Sequence, residues 1–395
     1  MFKSDVAEAY RHMPMSFYWS IKQVNTIDGE RSLDLCNAFG GRGAQAIWIA
    51  FMALVIWIAK YIRLIHLLLA YSDNAFGPNM ASDFTFYPPY KNSLPTNQVK
   101  FLVLLDDLGI PHSEKKQISG APLVIIGIKV DPNRMTLTLP TESRLDLIDK
   151  ISRFCETTKN KKGSKFSLRE WQGLGGHLNW SFNVFPLLKP CTCALYAKIA
   201  GKDAPNAAIW VNNNVRDELL WARARLMRES GVRLVRSVDW QVPSADITIY
   251  CDASLEGFGF YIPANHTGFY GDIPSNTPKN LIFFYEALCV IFALYHTASS
   301  SIPCPGRIVI YTDSENSVNI FSSLHALPQY NILLAACDFL MDTMHQLRVV
   351  HVPGRDNSVA DALSRKLFRL ANRWDPRLTT KHFIPPDSLL GALHL

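Results

Sequence analysis

The chain lacks paired C-x-x-C sets: its eight cysteines stand at positions 36, 155, 191, 193, 251, 289, 304 and 337. That spacing argues against a disulfide framework and against a zinc site, and implies reduced thiols. No secretory pattern precedes the first apolar residues, so the expected location is intracellular, with cytoplasm and nucleus both open. Charge of either sign is not in large excess: 40 basic against 34 acidic residues gives +6, which suits a polyanionic partner without requiring one. No internal repeat or low-complexity tract stands out. Long hydrophobic runs are nearly absent too. The longest, 46–59 (AIWIAFMALVIWIA), spans 14 residues. A bilayer crossing needs about 20, so this run reads as a buried core helix and a membrane partner is not expected.

What is present is enough chain for two or three domains, since 395 residues exceed one ordinary core. Residues 1–138 alternate short apolar runs such as FLVLL and PLVIIGIKV with polar turns, a mixed strand and helix pattern. Residues 139–240 turn helical: TESRLDLIDKISRFC carries apolar residues three to four apart, and Ser167 with Glu170 forms a Ser-x-x-Glu capping box. A third unit, 241–366, opens after the Pro243 linker. The tail, 367–395, contains Pro376, Pro385 and Pro386 and reads as a loosely packed extension. The expected class is α/β (α+β).

The third unit carries the chemistry. Asp252 ends the apolar run ITIYC and Asp313 ends RIVIYT, each a buried strand with an acid at its C-terminal edge. Two such carboxylates on neighbouring strands repel each other unless a cation or proton compensates, and their hard oxygens favour Mg²⁺, with Mn²⁺ as the alternative. Glu286 is a lone acid inside the apolar NLIFFYEALCVIFALYH, where an unpartnered charge is costly. Asp361 lies in NSVADALSRKL, a helix following the strand LRVVHV and the turn PGRDN. Taken singly each has a bland reading: a turn acid for Asp252 or Asp313, an N-cap for Asp361, an ion pair with Lys279 for Glu286. Together they have the layout of two-metal phosphodiester hydrolysis.

YCDAS, YEAL, YTDSENSV and HVPGRDNSVADALSR resemble, in order, the motifs of the ribonuclease H domain of retroelement polyproteins. The resemblance implies a ribonuclease H-like mixed sheet with flanking helices. It also implies Asp252, Glu286, Asp313 and Asp361 as Mg²⁺ ligands and catalytic residues of an endonuclease cutting the RNA strand of an RNA–DNA hybrid. His351, between Val350 and Val352, reads as a packed strand residue rather than a proton shuttle.

Upstream, SDVAEAYRHMPM, NAFGGRGAQAIWIAF and YSDNAFG resemble the palm of a retroelement reverse transcriptase, DIRS-like or gypsy-like, with 140–228 resembling its thumb or connection. The resemblance implies Asp5 and Asp73 as metal ligands and Phe39, Gly40 and Gly41 at the nucleotide-contacting turn. Asn74 replaces the second acid of the family's Tyr-x-Asp-Asp, and the chain is expected to start after the fingers, so polymerase activity is expected to be lost or reduced. Lys159, Lys161, Lys162, Lys165 and Arg169 around the turn NKKGS could track a phosphate backbone. Trp171 and Trp180 read as core anchors. Two further readings stay open: an inactive domesticated remnant that binds nucleic acid or protein, and an RNA-templated polymerase.

Overall fold

A computed structural model describes residues 1–386 except 39, 42, 157–163, 229–232, 235–239, 276, 280, 299–305 and 328–331. Phe39, Lys159, Lys161 and Lys162 therefore lie outside the described residues. The chain is an α/β protein, as its alternating patterns predict, and divides into two compact units, Met1–Leu137 and Thr138–Leu395.

The first unit holds a small antiparallel sheet. Strand β1 (Phe2–Asp5) lies between β3 (Asn74–Gly77) and β4 (Ile118–Ser119), with β2 (Leu69–Tyr71) outside β3. Helices α1 (Ala44–Tyr61) and α2 (Thr96–Asp107) contribute Trp48, Met52, Phe101 and Leu102 to a core that also takes in Phe2. The apolar run thus becomes an 18-residue helix, longer than its uninterrupted sequence suggested. It buries one stripe, Ala44, Trp48, Met52, Val55 and Ala59, at the spacing of a single helical face. Ile47, Leu54, Trp57 and Tyr61 remain exposed in this unit, so the core-helix expectation holds for one face only. Among the described residues this is the one helix long and apolar enough to cross a membrane.

The second unit begins with helices. Helix α3 (Thr141–Cys155) and the short strand β5 (Lys165–Ser167) lead into α4 (Leu168–Ser181). The Ser167–Glu170 capping box forms in both directions, each residue satisfying an end group of the first helical turn. Trp171 is fully buried, as read from the sequence, and stacks edge-on with Phe154. After α5 (Cys193–Ile199), strand β6 (Ala208–Trp210) pairs antiparallel with β5, and α6 (Asn213–Arg228) follows.

A six-stranded mixed sheet completes this unit. It is built from β7 (Ile247–Ala253), β8 (Phe258–Ile262), β9 (Thr267–Gly271), β10 (Arg307–Thr312), β11 (Gln346–His351) and β12 (Thr379–His382), in the order β11-β10-β7-β8-β9-β12. The β7–β8–β9 meander is antiparallel, whereas β10 and β11 join parallel to β7. Alternation along the strands sends Ile249, Cys251, Phe258, Phe260, Ile308 and Ile310 into one core with α7 (Ile282–Ala298). Helices α8 (Glu315–Ser323) and α9 (Leu333–Thr343) add Phe321, Leu333 and Leu340 to that core.

Helix α10 (Ser358–Ser364) docks directly against the meander. Glycines make the approach possible: a Cβ on Gly259 would stand 2.6 Å from Leu363 Cβ, and one on Gly268 2.7 Å from Leu363 Cδ1, closer than real side-chain contacts.

The tail corrects one expectation. Residues 368–382 are not loose: α11 (Phe368–Trp374) packs Ala371 into a small core, and β12 adds parallel to β9 as the sixth strand. Asp375 locks this return, accepting from Tyr261 Oη at 2.8 Å and pairing with His266 Nδ1 at 2.7 Å. Pro376 therefore marks a turn into a strand.

Candidate active site

The parallel pairing of β7 with β10 sets Cys251 against Thr312, so the next residues, Asp252 and Asp313, leave the C-terminal ends of adjacent strands side by side. Thr312 pairs in turn with His351. His351 is exposed at the end of β11, not packed as its valine neighbours suggested, because the strand runs out of cover there.

Asp361 arrives from the other side, on α10. Asn357 precedes that helix and is 1% exposed. Its Nδ2 donates to the Cys251 carbonyl at 2.9 Å, which ties the helix start to the strand carrying Asp252. Asn357 Oδ1 is buried without a hydrogen-bond partner in the structure. At the far end of α10, Ser364 donates its hydroxyl to Asp252 Oδ2, while Arg365 Nε holds Asp361 Oδ1 at 2.9 Å. The Pro-Gly turn after β11 passes so close that a Cβ on Gly354 would lie 3.2 Å from Asp313 Oδ2.

Electrostatics links these acids in pairs. Asp252 is 6% exposed, and burial pushes its carboxyl up to about 7; the Ser364 hydroxyl opposes this, and the charges of Asp313 and Asp361 add to it. Burial likewise raises Glu286, on α7, against the hydroxyl of Ser314 and with the charge of Asp313. Asp313 is thus felt by both Asp252 and Glu286, and Asp361 by Asp252. Among the described residues, however, no three His, Cys, Asp or Glu side chains stand close enough to form a ready metal-holding group. The donor chemistry, hard carboxylate oxygens with no thiolate or imidazole in the set, suits Mg²⁺.

Asn357, Ser364 and Arg365 were missed in the sequence. The signal was there for two of them: an Asn directly before SVAD is an N-cap candidate, and Ser364 stands three residues after Asp361 on the same helix face.

In the first unit Asp5 stands opposite Asn74 across β1 and β3, and the Val6 amide donates to the Asp73 carbonyl at 3.2 Å. Asp5 and Asp73 are therefore brought to one end of one sheet. Lys116 Nζ, however, lies 3.0 Å from Asp5 Oδ1, and Asn74 Nδ2 donates to Asp73 Oδ1 at 3.1 Å. Gly40, with φ of 87°, takes up ahead of α1 the left-handed backbone that favours glycine. Lys165 and Arg169 are exposed near the start of α4.

No family model matches the chain, and no curated protein sequence matches it. It is similar to solved structures described as the foamy viral protease-reverse transcriptase. With the dRH form in complex with ds DNA the identity is 15% and the TM-score 0.42, covering 98% of this chain and 57% of that one. With the protein in complex with RNA/DNA hybrid the values are again 15% and 0.42, covering 88% and 43%. At this identity and TM-score neither a shared fold nor a shared activity follows.

Proposed function

We propose that the second unit is a ribonuclease H-type endonuclease, dependent on Mg²⁺ or Mn²⁺, that hydrolyses the RNA strand of an RNA–DNA hybrid. The observation that carries this reading is the placement of Asp252 and Asp313 at the ends of adjacent parallel strands, with α10 tied to the same strand by Asn357 and Ser364. Divalent ions held by Asp252, Glu286, Asp313 and Asp361 would supply an activated water and charge stabilisation at the leaving oxygen. The chain's own part is positional. Ser364 orients Asp252, Arg365 restrains Asp361, and the glycine-lined meander lets α10 come close enough for both.

The first unit supports a different reading. Position 74 carries an amide where the family's motif has an acid, and Lys116 lies beside Asp5, which together lower the negative charge available to a metal ion, so we read it as a palm-like unit without polymerase activity, belonging to a retroelement-derived protein. The test is direct. The full chain with Mg²⁺ should cut the RNA strand of a labelled hybrid, and Asp252→Asn and Asp313→Asn should each abolish cutting; undiminished cleavage by both variants would exclude the assignment. Salt-sensitive hybrid binding with no cleavage at all would favour the inactive binding remnant.

A further inference from the structure

Alternation along the β5–β6 pair separates two faces. Phe166 turns inward, stacked on Phe154 with centroids 3.9 Å apart, and Ile209 is 6% exposed. Lys165 and Trp210, paired directly across the ladder, turn outward. Two further backbone bonds continue the pairing beyond the strands, Leu168 N donating to the Ala207 carbonyl and Arg169 N to the Pro205 carbonyl, both at 3.0 Å. Trp210 is 48% exposed, a large apolar ring turned to solvent. Lys165 Nζ sits 5.3 Å from the ring centroid.

Beside the ring opens a cleft of about 440 Å³ whose walls include Lys198, Lys202, Asp203, Ala207 and Trp210. That volume is in the range, roughly 300–1,000 Å³, of small-ligand sites. Lys198 is on the last turn of α5 and Lys202 just beyond it. Among the described residues no ion pair engages Lys165, Lys198 or Lys202, and Asp203 is the single acid on the cleft wall. A cation–π contact alone would account for Lys165, which is the bland explanation. It does not account for two more lysines that line the same cleft as the exposed ring.

We propose that this cleft holds a single-stranded stretch of nucleic acid, one base stacked on Trp210 and the adjacent phosphates on Lys165, Lys198 and Lys202. An aromatic face flanked by unneutralised ammonium groups is the arrangement that tracks a strand without reading its sequence. The inference rests on the reading of the protein as acting on nucleic acid and adds a contact remote in sequence from the four acids. It gives Lys165 a defined role, whereas the sequence had offered only a basic loop.

The experiment is equilibrium binding of a fluorescein-labelled oligothymidylate of about 12 nucleotides to the full chain in EDTA, where no cleavage can occur. Trp210→Ala should weaken binding roughly tenfold or more, and Trp210→Phe should keep most of the affinity. Lys198→Gln with Lys202→Gln should flatten the salt dependence by about 0.7 per lysine. Equal affinity and equal salt slope across all these proteins would overturn the proposal. So would binding of polyglutamate that is as tight as the oligonucleotide's and as sensitive to Trp210→Ala, which would mark a general polyanion surface. If hybrid cleavage is absent while Trp210-dependent binding persists, the nuclease assignment fails and the cleft proposal stands.

Discussion

Ser364 shows how much depends on one hydroxyl in this protein. It donates to the buried Asp252 and so opposes, by a hydrogen bond to the charged form, the burial that raises this carboxyl. Ser364→Ala should leave the fold intact and lower hybrid cleavage by about 10- to 100-fold, the usual cost of losing an orienting partner, measured as initial rates at saturating Mg²⁺. A second residue-scale prediction concerns Arg225. Its guanidinium side chain is 6% exposed and lies between α6 and α9, holding Asp338 at 2.5 Å and Asp342 at 2.5 Å. The hydrogen bond from Arg225 keeps the Asp342 carboxyl below the usual range. A depressed carboxyl stabilises the fold above its unfolded pKa of about 3.9, and that contribution is lost as pH falls through the lower folded value. Urea midpoints should therefore drop on acidification below about pH 4, and less steeply in Asp342→Asn. Arg225→Ala should cost about 1–3 kcal/mol at neutral pH, because the carboxylates it leaves are 37% and 49% exposed and regain water.

At the scale of elements, helix α10 is the part that the sequence revealed only in outline. Its existence was legible from the apolar spacing of SVADALS after a Pro-Gly turn, as were the strands ending in Asp252 and Asp313 and the helix around Glu286, because each is a local pattern. Its docking distance was not legible, since it depends on glycines more than 90 residues away in the chain: Gly259 and Gly268 act only once the meander and the helix meet. Gly259→Ala should push α10 outward, lowering stability by about 1–3 kcal/mol and abolishing hybrid cleavage as Asp361 is displaced, readable by calorimetry and by the same rate assay. The tail was misread for a related reason. Four residues, Thr379–His382, are too short and too polar to announce a strand, and β12 exists because β9 offers it an edge. Truncation after residue 366 should expose that edge and lower both the unfolding midpoint and the soluble yield.

Across the whole molecule, each compact unit gathers acids at one end of a sheet, with different outcomes. In the first, a lysine pairs with Asp5 and an amide stands at position 74; in the second, Arg365 pairs with Asp361, and among the described residues no salt bridge engages Asp252, Asp313 or Glu286. Primer extension by the full chain is accordingly expected to be absent under conditions where hybrid cleavage proceeds, which a paired assay on one preparation checks. The net charge of +6 gave no hint of this division, because the distinction lies in which carboxylates are paired and not in their number. The measurement that tests the central claim most directly is Mn²⁺ binding followed by the loss of the free-ion electron paramagnetic resonance signal. The wild-type chain should bind ions that the Asp252→Asn/Asp313→Asn double variant does not, whereas identical binding curves for the two proteins would contradict a metal centre built on these acids.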